Sequence, residues 1–179
     1  GDYNGFKMVL GHKSFFGADI QKLGAMAAAA DWESGSGSVT DQDMESAYLA
    51  RLVEGLSLGS YRIGWDAGNG AGGRIVEQLA AILPGEHHLL FTDIDGNFPN
   101  HHPDPTEEKN LEHLKALVAE KRLDFGLAFD GDADRIGAVD AQGRVVWGDQ
   151  LLSILAEPVL KKLPGAVIIG DVKASQMLY

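Results

Sequence analysis

The sequence contains no cysteine, which excludes disulfide bonds and thiolate metal ligands and favours a reducing, cytoplasmic location. Basic residues are scarce: 15 Lys and Arg stand against 26 Asp and Glu, for a formal net charge of −11. No basic stripe is available to bind nucleic acid, so we expect no nucleic-acid partner. No apolar run approaches the length of a membrane span, and we expect no membrane partner either.

An initiator methionine and a recognisable signal peptide are also missing. The opening residues are typical of a turn in the middle of a protein sequence, and they lead into an apolar run. We therefore expect the 179 residues to be a piece of a longer protein.

Short apolar runs alternate along the chain with segments of helical periodicity. The predicted strands are Phe6–Leu10, Tyr61–Asp66, His87–Thr92, Phe125–Phe129, Ile136–Asp140, Arg144–Trp147 and Ala166–Asp171. The predicted helices are Asp19–Ala30, a helix from an N-cap at Thr40 to about Leu56, Gly73–Leu83, Glu107–Lys121 and one that opens near Asp149. The central order βαβαβ plus a hairpin predicts an α/β fold, a mainly parallel (mixed) sheet flanked by helices.

The run Asp130-Gly131-Asp132-Ala133-Asp134-Arg135 carries the strongest chemical signal. In an extended loop, alternate residues point the same way, so three carboxylates would converge on one point. Such oxygen donors suit Mg²⁺ or Ca²⁺, and the arginine offers a fork for phosphate. An EF-hand is excluded, because it requires glycine and glutamate where this sequence has Arg135 and Ala141. The pattern indicates phosphoryl chemistry at the carboxyl end of a central strand.

Two other motifs leave alternatives open. Residues Gly68–Gly73 fit G-x-G-x-x-G between a strand and a helix, and Asp93 follows at the distance of a ribose contact. That combination would indicate a dinucleotide-binding oxidoreductase, although glycines also allow a tight turn without a ligand. His101 and His102 lie in a proline-stiffened loop with aspartates and could bind Zn²⁺, although such histidines more often brace the backbone.

Five stretches together resemble the α-D-phosphohexomutase family, specifically its bacterial phosphomannomutase/phosphoglucomutase branch. They are DYNGFKMVLG, WDAGNGAGG, DIDGNFPNHHPDPTEEKNL, FGLAFDGDADRIGAV and IIGDVKAS. The resemblance implies an enzyme that interconverts hexose 1-phosphate and hexose 6-phosphate substrates. A phosphoserine would pass its phosphoryl group to the sugar, giving a hexose 1,6-bisphosphate intermediate, with Mg²⁺ neutralising charge at the phosphoryl group.

The resemblance also assigns roles to individual residues. It implies that the Mg²⁺ ligands are Asp130, Asp132 and Asp134. Arg135 resembles the arginine next to the phosphoserine phosphate, and Lys7 the lysine that does acid–base or phosphate work near that serine. Lys173 resembles a lysine that faces the substrate phosphate.

The departures from the family pattern are as informative as the matches. The Ser-His-Asn-Pro serine loop, expected just before the Tyr-Asn-Gly-Phe-Lys run, is not in the sequence, and Ser14 lacks its context. The Gly-Glu-x-Ser-Gly sugar loop is missing too. We therefore expect the remainder of its own polypeptide to be the necessary partner, and no turnover from these residues alone.

The resemblance implies a division into three domains. Residues 1–45 would be the C-terminal remainder of domain one with a linker helix, 58–147 domain two with the metal loop, and 148–179 the start of domain three. Phosphoglucosamine mutase stays open as a related alternative, and so does the preference between glucose and mannose.

Overall fold

The computed structural model describes residues 5–57 and 59–176. Tyr3 and Asn4 of the first family-like motif, and position 58, where domain two is predicted to begin, lie outside the described residues. No helix in the described part of the chain has the length and apolar character needed to cross a membrane.

One compact unit ends at Gln42. In it, strand β1 (Val9–Leu10) pairs antiparallel with β2 (Lys13–Ser14), and helix α1 covers Ala18–Ala28. The helix prediction is confirmed to within two residues, whereas the strand predicted from Phe6 is shorter than expected. The reason is that β1 pairs only across its own tight turn with β2, so the ladder has two residue pairs.

The second compact unit begins at Asp43 and contains a five-stranded sheet. Its strands are β3 (Tyr61–Asp66), β4 (Gly85–Leu90), β5 (Phe125–Phe129), β6 (Ile136–Asp140) and β7 (Val145–Val146). They lie in the order β4-β3-β5-β6-β7, with β3 parallel to β4 and β5, and with β6 antiparallel to β5 and β7. The predicted mixed α/β sheet is confirmed, and β5 is its middle strand.

The helices of this unit are α2 (Glu45–Val53), α3 (Gly73–Ile82), α4 (Glu112–Lys121) and α5 (Gly148–Lys162). A 3₁₀ turn, Glu108–Leu111, leads into α4. The predicted N-cap at Thr40 is wrong, because α2 begins only at Glu45. The N-cap position is Met44, which makes no side-chain capping bond, and the carboxylate of Asp43, one residue earlier, accepts a hydrogen bond from the backbone N–H of Glu45 at 2.9 Å.

The strand predicted over Ala166–Asp171 is also wrong. The segment pairs with no strand among the described residues. Val167 and Ile169 are 85% and 86% exposed. An apolar run becomes a strand only where a neighbouring strand takes up its backbone hydrogen bonds, and here none does so.

The core lies on both faces of the sheet. Because side chains alternate along a strand, Ile63 and Trp65 pack with Val76 of α3, while Ala128 packs on the other face against α4. The face covered by α4 holds Leu111, Leu114, Val118, Leu123, Ala128 and Val139. These two layers hold β5 in the middle of the sheet, so that the loop after its carboxyl end lies at the end of the strands and not in the core.

Candidate functional site

The aspartate loop follows the middle strand directly, as predicted, since β5 ends at Phe129. One ligand oxygen from each of its three aspartates lies within 4.8 Å of the others; the residues are Asp130, Asp132 and Asp134. The predicted extended geometry is wrong. Ala133 has a positive φ of 59°, and its N–H donates to the carbonyl of Asp130 at 3.1 Å. A tight turn therefore brings the carboxylates together.

Asp130 is the buried member of the cluster, 2% exposed, and Arg135 binds both of its oxygens. The backbone N–H of Arg135 donates to Oδ1 at 3.0 Å, and its Nε donates to Oδ2 at 2.7 Å. Burial acts to raise the pKa of Asp130, but these hydrogen bonds and the positive charge hold it below its usual value. Asp132 and Asp134 are exposed, so the cluster has one anchored carboxylate and two that face solvent.

Arg135 also contacts a carboxylate from a distant loop. Its Nη1 donates to Oδ1 of Asp104 at 3.1 Å. The same oxygen accepts two hydrogen bonds from Thr106, one from the Oγ1 hydroxyl at 2.7 Å and one from the backbone N–H at 3.0 Å. Hydrogen bonds from Thr106, aided by Arg135, lower the pKa of Asp104. The sequence did not predict a role for Asp104. The signal that it offered was an acidic residue between two prolines, in the same proline-stiffened loop as His101 and His102.

The glycine-rich loop packs against the aspartate loop. The N–H of Ala71 donates to the carbonyl of Gly131 at 2.9 Å, and a Cβ on Gly70 would lie 2.8 Å from that same oxygen. A Cβ on Gly73 would lie 2.0 Å from the carbonyl oxygen of Thr92. The glycines therefore accommodate the chain's own backbone, which removes the main support for the dinucleotide alternative.

His101 is a structural brace. Its Nε2 lies 3.0 and 3.1 Å from the two oxygens of the buried Asp66, and its Nδ1 donates to the carbonyl of His102 at 3.0 Å. The hydrogen bond to Asp66 raises the pKa of His101 against the opposing effect of burial, with further help from the carbonyl of His102. Both ring nitrogens are engaged, so the zinc alternative is wrong for His101.

The remaining predicted residues, Lys173 and Lys7, are not members of the acidic cluster. The exposed Lys173 lines a cavity of about 570 Å³ that Thr106 also lines, so Asp104 and Thr106 connect this cavity to Arg135. Lys7 belongs to the other compact unit and is exposed two residues before β1. The structure thus brings Arg135 and the three aspartates together, whereas Lys173 lines a cavity that Thr106 borders.

Comparisons with known proteins agree on one family. The family model described as "Phosphoglucomutase/phosphomannomutase, alpha/beta/alpha domain II" matches residues 46–143. The chain is 44% identical over 183 residues to the phosphoglucomutase of Neisseria gonorrhoeae, and this alignment covers 99% of the chain and 39% of that protein. It is 43% identical to the phosphomannomutase/phosphoglucomutase of Pseudomonas syringae pv. tomato, over 99% of this chain and 38% of that protein.

A solved structure gives the same result. The crystal structure of a phosphoglucomutase/phosphomannomutase family protein from Burkholderia thailandensis superimposes with a TM-score of 0.84 at 43% identity, over 92% of this chain and 36% of that one. The chain therefore spans less than two fifths of the length of these relatives.

Proposed function

The chain belongs to the phosphoglucomutase/phosphomannomutase family, and we propose that the full-length protein interconverts hexose 1-phosphate and hexose 6-phosphate by intramolecular phosphoryl transfer. The proposed route passes through a phosphoserine and a bisphosphorylated sugar. The observation that carries the proposal is the acidic cluster beside Arg135. Three carboxylate oxygens lie within 4.8 Å of one another, and Nε of the arginine lies 2.7 Å from the buried aspartate.

The donor set of the cluster fits Mg²⁺. All three candidate ligands are carboxylates, the buried one is kept ionised by Arg135, and the other two are exposed. Hard oxygen donors are what Mg²⁺ prefers, and three protein ligands leave coordination positions for water and a phosphate oxygen. When bound, Mg²⁺ would neutralise charge on the phosphoryl group and make it a better electrophile. The proposed ligands are Asp130, Asp132 and Asp134.

The cationic residues would bind and orient phosphate. Arginine has five N–H donors, so Arg135 can keep its bonds to Asp130 and Asp104 and still donate to phosphate oxygens. We propose that Lys173 contacts the substrate phosphate from the cavity that it lines. Lys7 is proposed to serve acid–base or phosphate work near the phosphoserine. Positioning and charge neutralisation of this kind supply most of the catalysis in phosphoryl transfer.

The domain limits are part of the proposal. Residues 1–45 are assigned to the end of domain one, 58–147 to domain two and 148–179 to the start of domain three. The match of the domain II family model to residues 46–143 supports the middle assignment.

A direct assay of the full-length protein tests the proposal. It is incubated with Mg²⁺ and the 1-phosphates of glucose, mannose and glucosamine in turn, with hexose 1,6-bisphosphate as activator. Turnover of the glucose or mannose substrate is expected, and turnover of the glucosamine substrate alone would favour phosphoglucosamine mutase. If none of the three is converted, the proposed function is wrong.

Two variants connect the assay to the site. Asp132→Asn is expected to abolish most of the activity, because it removes one anionic ligand. Glu107→Gln, an exposed acidic change outside the cluster, is the matched control and should retain activity. The 179-residue polypeptide by itself is expected to show no turnover, since it contains no Ser-His-Asn-Pro sequence.

A further inference from the structure

The guanidinium of Arg135 is tied to two carboxylates that come from different loops. Its Nε donates to Asp130 at 2.7 Å, and its Nη1 donates to Asp104 at 3.1 Å. One contact at Nε leaves the guanidinium free to change its tilt, whereas a second contact at Nη1 determines the plane of the group. We propose that Asp104 is a positioning residue that orients Arg135 toward the phosphoryl group. This inference rests on the proposed function for the identity of the anion that Arg135 meets.

Asp104 is itself held in place by its neighbours. Its Oδ1 accepts two hydrogen bonds from Thr106, and its N–H donates to the carbonyl of His102 at 2.8 Å. The prolines on either side, Pro103 and Pro105, are both buried. Because proline has a restricted backbone, these contacts leave the Asp104 carboxylate little freedom to move.

The loop that carries Asp104 is anchored to the end of β3. His101 bonds the buried Asp66, the last residue of that strand. Next to it, Nδ2 of Asn100 donates to Oδ1 of Asn69 at 2.8 Å. Two side-chain bridges therefore fix the loop within four residues of Asp104. The position of its carboxylate is determined by the sheet, like the position of the aspartate loop itself.

The exposure of this ion pair separates positioning from stability. The side chain of Arg135 is 50% exposed and that of Asp104 is 22% exposed. Ion pairs open to solvent contribute little to folding stability, because water screens them. Removal of the Asp104 carboxylate should therefore leave the fold intact while it frees the guanidinium to tilt.

The first experiment observes the guanidinium of Arg135 directly in this chain by NMR. The Nε–H signal of Arg135 is assigned by its loss in Arg135→Lys. In Asp104→Ala, rotation about the Nε–Cζ bond should speed up, while the Nε–H signal persists through Asp130. Arg144 is the internal control, since its Nε donates to Asp140 at 2.7 Å and its signals should not change.

The second experiment measures kinetics in the full-length protein. Asp104→Ala should lower kcat by on the order of 10- to 100-fold, the loss typical of a misplaced catalytic group. The KM and the midpoint of denaturation should change little. Asp104→Asn keeps an oxygen acceptor of the same shape and should recover part of the lost kcat.

The outcomes are separable. Unchanged rotation of the Arg135 guanidinium in Asp104→Ala would overturn the inference whatever the kinetics show. Faster rotation with an unchanged kcat would also overturn it, because orientation would then have no catalytic consequence. If the wild-type full-length protein converts no hexose phosphate, the proposed function fails, while the NMR experiment still decides whether Asp104 orients Arg135.

Discussion

The carboxylate of Asp66 lies 3.0 Å from Nε2 of His101, and water is largely excluded from both side chains, which are 0% and 10% exposed. The N–H of Gly68 donates to the same carboxylate at 2.9 Å. This pair joins the end of β3 to the loop that brings Asp104 to Arg135. It therefore links the stability of the sheet edge to the geometry of the proposed phosphate site.

Replacement of His101 by alanine should strongly destabilise the second unit. The change leaves the buried charge of Asp66 without its main partner, and breaking a buried pair costs about 3–5 kcal/mol of unfolding free energy. His102→Ala is the matched control, since His102 is exposed and its loss should cost no more than about 0.5 kcal/mol. Urea unfolding followed by fluorescence of the buried Trp65 measures both, with Trp32 and Trp147 replaced by phenylalanine. Equal costs for the two variants would contradict the bracing role.

The contribution of His101 to stability should depend on pH with a defined sign. Its pKa is raised in the folded state, chiefly by the hydrogen bond to Asp66, so folding favours its protonated form. The stabilisation is fully present below the unfolded pKa of about 6.5 and is lost as pH rises through the raised folded pKa. The difference in unfolding free energy between wild type and His101→Gln should therefore shrink as pH rises above about 6.5. A difference that grows with pH in this range would refute the expectation.

A methyl group at Gly70 should disturb the aspartate loop. The added Cβ would lie 2.8 Å from the carbonyl oxygen of Gly131, so backbone must shift, at a cost of about 1–3 kcal/mol. Gly70→Ala should also weaken Mg²⁺ binding measured by calorimetry, because the shift falls between two of the proposed ligands. Gly96→Ala is the control, since nothing lies within 4 Å of its added Cβ. Similar losses of Mg²⁺ affinity in the two variants would count against the packing argument.

Removal of one exposed carboxylate from the cluster should not lower stability without metal, but it should reduce the stabilisation that Mg²⁺ provides. Asp134 is 62% exposed and lies near two other carboxylates, and its one ion-pair contact, with Nε of Arg135 at 3.9 Å, is long and solvent-screened, so metal-free Asp134→Asn should be at least as stable as wild type. Mg²⁺ at 100 times its Kd should stabilise the wild type by about 2.7 kcal/mol, and Asp134→Asn should gain much less. Thermal unfolding with and without Mg²⁺ measures both effects. Glu107→Gln should respond to Mg²⁺ like wild type, and an equal response from Asp134→Asn would exclude it as a ligand.

Local patterns predicted most elements of the second unit correctly. β3 and β5 lie where periodicity placed them, because each is a short apolar run that the fold buries. The failure at Thr40 has a local cause, and the failure at Ala166–Asp171 has a tertiary one. Helix α2 begins at Glu45, whose N–H donates to the carboxylate of Asp43, five residues after the predicted start. The apolar segment has no partner strand among the described residues.

The sequence predicted that the three aspartates cluster beside Arg135, but it did not predict the bonds that join this cluster to distant loops. The three aspartates and Arg135 were identified from spacing alone, because their chemistry is local to six residues. The bond from Arg135 to Asp104 crosses 31 residues of sequence, and the bond from His101 to Asp66 crosses 35. No local pattern contains such pairs, since they exist only once β3 and β5 lie side by side.

The amino-acid sequence by itself determined the α/β order, the acidic cluster and the arginine beside it, because periodicity and residue chemistry act over a few neighbouring positions. The tertiary structure alone decided that a turn at Ala133 gathers the carboxylates, and that the glycines make room for backbone. It also decided that Asp104 reaches Arg135 from a braced loop. These features depend on the packing of distant segments, where close contacts and the burial of charge select one arrangement.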